Sequence, residues 1–128
     1  MAAASILLVE DERLIAKDLE RRLRRMGYDV IALAATGPDA IHQALEHRPD
    51  VVLMDIRLQG HMDGIEAATF IRTHLNIPLV YMSAYVDDET LARASATRPA
   101  GYLRKPFSER QLQITIEDAL SDDTSLRP

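Results

Sequence analysis

The chain has 128 residues, 47% hydrophobic and 27% charged, which suits one domain large enough to build its own apolar core. It contains no cysteine, which excludes a disulfide framework, Cys-ligated zinc and thiol catalysis. A net charge of −5 argues against a nucleic-acid-binding domain, which would more often be basic.

The run at 6–9 is short and apolar, predicting a first strand that ends at Glu10-Asp11-Glu12. Ile15, Leu19, Leu23 and Met26 then recur at helical spacing. Lys17, Arg21, Arg22, Arg24 and Arg25 fill the other faces, suited to a helix C-terminus, and Gly27 supplies a stop. A second strand is predicted at 30–35. Thr36-Gly37-Pro38 offers an N-cap and an early proline for a second helix, with Ile41, Ala44 and Leu45 facing inward and Pro49 past its end. The run at 51–54 predicts a third strand ending at Asp55. A third helix should follow Gly64 and stop near Asn76-Ile77-Pro78. A fourth strand at 79–82 ends at Ser83, and Asp87-Asp88-Glu89 opens a fourth helix. Tyr102-Leu103 marks a fifth strand ending at Lys105-Pro106. Ser108 with Gln111 three residues on forms a capping box for a fifth helix, lined by Leu112, Ile116 and Ala119.

Five β-α units in succession predict a parallel sheet, buried on both faces, with helices on each side. We expect one domain over 5–120, with flexible ends at 1–4 and 121–128. The longest stretch free of Asp, Glu, Lys and Arg, at 73–86, contains Pro78 and falls short of the ~20 residues a membrane helix needs. The apolar N-terminus lacks a basic region and runs straight into three acids, so a secretory signal is not expected. Cytoplasmic placement follows as an expectation.

In open parallel sheets, ligands bind outside the carboxyl ends of the strands. Glu10, Asp11, Asp55, Ser83 and Lys105 all fall there. Taken singly, each is what a turn, a cap or a solvated surface would use. Together they form a chemical set. Two carboxylates 4 Å apart repel by roughly 4 kcal/mol at an effective dielectric of 20. A hard divalent cation removes that cost, and Mg²⁺ suits carboxylate oxygens with positions left for a phosphoryl group. Lys105 is a point charge for a phosphoryl oxygen, Ser83 a hydrogen-bond donor, and Asp55 a nucleophile of the kind aspartyl-phosphate chemistry requires.

The segments carrying this set are ILLVEDE at 6–12, VVLMDI at 51–56, MDGIE at 62–66, YMSA at 81–84 and GYLRKPF at 101–107. In that order and spacing they resemble a two-component response-regulator receiver domain. The resemblance implies a doubly wound, flavodoxin-like (βα)5 fold with a five-stranded parallel sheet in the order 2-1-3-4-5. It implies that Asp55 is the phosphoacceptor and that Glu10 and Asp11 are the acidic pair of a Mg²⁺ site. Asp55 itself and the backbone carbonyl of Arg57 would be further ligands. Lys105 would pair with the phosphoryl group, with a cis peptide bond to Pro106. Ser83 and Tyr102 match the switch pair, read out on helix four, strand five and helix five. The implied partners are a sensor histidine kinase or a histidine phosphotransfer protein upstream and an unidentified protein downstream, with no direct DNA or membrane contact. One loop departs from the common pattern. Seven residues separate Asp55 from Asp63, one more than usual, and Gln59-Gly60 stands where many members have a proline. His61 in this loop has no ligand partner at useful spacing, and Tyr85 lies near the pocket rim.

Rival readings fit less well. A haloacid-dehalogenase-type hydrolase wants an Asp two residues after the nucleophile, where this chain has Arg57. A binding module that has lost its chemistry would not need Glu10, Asp11, Asp55, Ser83 and Lys105 intact. A flavin or nucleotide binder on the same fold would call for a glycine-rich loop after the first strand, and none is present.

Overall fold

The computed structural model describes residues 3–123. It alternates β1 (Ser5–Val9), α1 (Arg13–Arg25), β2 (Asp29–Ala34), α2 (Gly37–His47), β3 (Val51–Asp55), α3 (Gly64–Leu75), β4 (Leu79–Ser83), α4 (Asp88–Ser95), β5 (Gly101–Arg104) and α5 (Glu109–Asp123). All strand pairs are parallel and the order is β2-β1-β3-β4-β5. The doubly wound five-stranded sheet implied by the sequence is therefore present.

Successive strand side chains point to opposite faces, and this splits the core in two. Leu7, Val9, Val52, Met54 and Tyr81 pack against α2, α3 and Ala94 of α4. Ile6, Leu8, Val51, Leu53, Val80 and Met82 pack against Leu19 and Leu23 of α1 and Leu112, Ile116 and Ala119 of α5. The register pairs Val9 with Met54, Asp55 with Met82 and Ser83 with Arg104. Each strand thus ends at the same level, and the residues just beyond share one edge. The order reverses between β1 and β3, which opens a crevice there.

The helix signals translate into bonds. Thr36 Oγ1 accepts from the Asp39 amide, and Asp87 Oδ1 accepts from the Thr90 amide. Ser108 and Gln111 close their capping box at 3.1 and 2.8 Å. A second box, Asp63 with Glu66, starts α3. Gly27 takes a φ of +97°, the left-handed region that favours glycine, and so ends the α1 turn.

Two expectations are corrected. Leu45 is not inward but 44% exposed. The buried positions of α2 are Gly37, Ala40 and Ala44, small residues that let the helix sit close to the sheet, and Leu45 lies a further 100° round from Ala44. Burial on both faces holds for β1, β3 and β4, whereas the edge strands β2 and β5 are partly exposed. α5 runs through Asp123. The expected flexible ends fall largely at positions 1–2 and 124–128, which lie outside the described residues. Among the described residues no helix is long and apolar enough to cross a membrane.

Candidate functional site

The carboxyl edge of the sheet gathers the charged residues. Glu10 follows β1 and is 3% exposed, and Asp55 closes β3 and is 5% exposed. Lys105 follows β5, where its amide donates to the Ser83 carbonyl at 2.7 Å and its peptide bond to Pro106 is cis. Its ammonium bridges the two buried acids, 2.8 Å from Glu10 Oε1 and 3.1 Å from Asp55 Oδ2. The second oxygen of each acid is held by backbone: Glu12 N donates to Glu10 Oε2 and Arg57 N to Asp55 Oδ1, both at 3.1 Å. Glu10 therefore orients its own loop and Lys105, while the N-cap of α1 is Glu12, which makes no side-chain cap bond.

Asp11 completes the group. One carboxylate oxygen from each of Glu10, Asp11 and Asp55 lies within 4.8 Å of the others, so the three could hold a metal ion. Hard oxygen donors at this spacing suit a hard divalent cation. The electrostatics agree. Burial, and then the charge of Glu10, push the Asp55 carboxyl up to about 6 despite the opposing pull of Lys105. Burial alone would lower Lys105, but its bonds to Glu10 and Asp55 and their charges raise it overall. One ammonium serves several carboxylates, and the site retains an excess of negative charge for a cation to meet.

The backbone under Asp55 is fixed by Gly64. A Cβ on Gly64 would stand 2.0 Å from the Asp55 carbonyl oxygen and 3.0 Å from Ile56 Cα, so only glycine fits. Gly64 N also donates to the Ile56 carbonyl at 2.8 Å. Within the intervening loop, Gln59 forms a parallel bridge with Thr36 and Gly60 takes a φ of +99°. Arg57 and His61 are exposed.

Ser83 is half-buried at the end of β4, and Tyr102 on β5 is 42% exposed. Both line a cleft of about 250 Å³ shared with Tyr85, Val86, Leu91 and Leu103. Tyr102 Oη lies 2.9 Å from Ser95 Oγ of α4, and its ring stands 5.9 Å from that of Tyr81. Arg93 of α4 binds Asp63 at 3.1 Å. Sequence reasoning missed Gly64 as a packing requirement, and it missed Arg93 and Ser95 altogether. The spacing of Asp63 and Glu66 was a readable capping-box signal, but the pairings of Arg93 and Ser95 had no local signature. Five basic residues of α1 are paired: Lys17 and Arg24 with Glu20, Arg21 and Arg22 with Asp18, and Arg25 with Glu109.

Comparison with known proteins agrees with this geometry. The family model described as response regulator receiver domain matches residues 6–117. The chain is 38% identical over 116 residues to the transcriptional regulatory protein PdtaR of Mycobacterium tuberculosis, covering 91% of this chain and 56% of the relative. It is 33% identical over 126 residues to the phyllosphere-induced regulator PhyR of Methylorubrum extorquens, covering 98% of this chain and 46% of that protein. The chain thus spans about half the length of these curated relatives. Among solved structures, the signal receiver domain of a modulated diguanylate cyclase from Desulfovibrio desulfuricans superposes with a TM-score of 0.89 at 38% identity, covering 94% of this chain and 95% of that one. With its fold, its acidic edge and these relatives in agreement, the chain belongs to the receiver domains of two-component response regulators.

Proposed function

We propose that this receiver is a phosphoacceptor that takes a phosphoryl group onto Asp55 from the phosphohistidine of a sensor histidine kinase or a histidine phosphotransfer protein. The observation that carries this reading is the bridging of buried Asp55 and Glu10 by one lysine at an open sheet edge. In the transfer, a carboxylate oxygen of Asp55 attacks phosphorus, the P–N bond breaks, and the imidazole leaves with the bonding pair. Lys105 meets an oxygen of the incoming phosphoryl group with its ammonium. Arg57 N steadies the Asp55 carboxylate. Glu10, Asp11, Asp55 and the Arg57 carbonyl would hold Mg²⁺, whose chemistry is to neutralise the carboxylates and the phosphoryl charge. Water later hydrolyses the acyl phosphate. The chain is on this reading a signalling protein rather than a metabolic enzyme.

Phosphorylation adds about −1.5 to −2 charges and strong acceptor oxygens. Ser83 gains a bond only in that state, and Tyr102 behind it answers, which shifts a two-state equilibrium by the difference in contact energy. The output passes to an unidentified downstream protein. Direct DNA binding by this domain is disfavoured by the net charge of −5 and by the pairing of Arg22, Arg24 and Arg25 with acids. We place the chain in the cytoplasm, with its kinase. The test is incubation with Mg²⁺ and a small acyl phosphate, followed by intact mass. One labile phosphoryl adduct is expected, lost without Mg²⁺ and in Asp55→Asn; an adduct that persists in Asp55→Asn refutes the assignment.

A further inference from the structure

α4 is eight residues long, and its one buried residue is Ala94. A helix with so little buried apolar surface belongs to the low-stability end of a structure, and its seat depends on a few polar contacts. Those contacts come from the two neighbours of Ala94. Arg93 reaches the Asp63 carboxylate at 3.1 and 3.5 Å, which ties α4 to the start of α3. Ser95 Oγ meets Tyr102 Oη at 2.9 Å, which ties α4 to β5.

The second tie also fixes an aromatic ring. Tyr102 lines the 250 Å³ cleft between the β4–α4 loop and β5 rather than filling it. The walls offered by Val86, Leu91 and Leu103 are apolar, and Ser83 stands at the same cleft. A tyrosine has a large apolar body and a hydroxyl that seeks a partner. Burying the body in the cleft would be favourable, and the Ser95 bond holds the hydroxyl at the outer position against it.

We propose that Ser95 is a positioning residue that keeps Tyr102 at this outer station, so that the seat of α4 and the place of the Tyr102 ring form one equilibrium. The inference rests on the reading of Ser83 and Tyr102 as the switch pair, and it adds what restrains that pair at rest. A partly exposed hydrogen bond of ordinary strength sets a ratio of about two- to tenfold. Its removal shifts the ring toward the cleft by that factor and no more.

The test uses the full chain labelled with 3-fluorotyrosine, with no phosphodonor present and the Tyr102 resonance assigned through Tyr102→Phe. Solvent exposure is read from the H₂O/D₂O isotope shift of the fluorine signal. The wild type is expected to show a partly exposed ring. Ser95→Ala should move the signal toward the buried position, with a two- to tenfold rise in the inward population, and Ser95→Thr, which keeps the hydroxyl, should restore the wild-type signal. A Tyr102 signal in Ser95→Ala that stays as exposed as the wild type overturns the proposal, as does a Ser95→Thr signal that matches Ser95→Ala. A parallel intact-mass assay with acyl phosphate and Mg²⁺ separates the two readings. If the wild type forms no adduct, the phosphoacceptor assignment falls, while the fluorine signal alone still decides the role of Ser95.

Discussion

The ionised Asp55 carboxylate costs folding stability, and the cost has a definite pH signature. Its folded-state value of about 6 stands above the ordinary 3.8, chiefly through burial and then through Glu10. Between those two values the native state binds more protons than the unfolded chain, so stability falls as pH rises through that window and stays lower above it. Each pKa unit is worth about 1.4 kcal/mol, which sets a ceiling of roughly 3 kcal/mol. The site opens at the sheet edge and Lys105 is partly solvated, so about 2 kcal/mol is the expected size. Asp55→Asn removes the charge and keeps the shape, and Lys105 retains its 2.8 Å bond to Glu10. Urea unfolding without divalent cations should therefore find Asp55→Asn more stable than the wild type by about 2 kcal/mol at pH 8. The gain should shrink below pH 6 and vanish near pH 4. A gain of equal size at pH 8 and pH 4 would show that burial of charge is not its origin, and a variant less stable than the wild type at pH 8 would refute the reasoning outright.

Two further outcomes follow from the packing. Gly64→Ala drives a methyl group into the Asp55 carbonyl, where backbone must move rather than a flexible side chain. Overpacking of this kind typically costs about 1–3 kcal/mol; urea midpoints should fall accordingly, and a neutral substitution would show that the β3–α3 junction yields easily. Asp63→Ala removes both the cap of α3 and the carboxylate that holds Arg93. A loss of about 1–2 kcal/mol is expected from the cap, with faster amide exchange in α4; unchanged exchange there would mean that Arg93 contributes nothing to the seat of α4.

Much of this architecture is legible in the sequence because its signals are local. Short apolar runs bounded by caps such as Thr36, Asp87 and Ser108 define the β-α alternation, and the strand-end rule alone brings Glu10, Asp11, Asp55, Ser83 and Lys105 to one edge. What escaped depends on long-range packing. Periodicity proposes that Leu45 faces inward, but Ala40 and Ala44 decide which stripe of α2 meets the sheet. The bond from Lys105 to Glu10 joins residues 95 positions apart, and nothing local announces it. Ser95 and Arg93 sit on a helix with one buried side chain, so its orientation has no strong apolar pattern to betray it. Gly64 is visible as a glycine, yet its necessity appears only when the Asp55 carbonyl stands where a Cβ would be.

The bond from Gly64 to Ile56 makes the β3–α3 connection a hoop with a clasp. Its circumference can change without disturbing the clasp, since lengthening a closed loop adds little entropy cost. Gln59-Gly60 stands on the far side of the hoop, where Gln59 pairs with Thr36. Asp55 lies on the clasp side and keeps its station, so variation in this connection can retune what the rim touches while the carboxylate beneath it holds still.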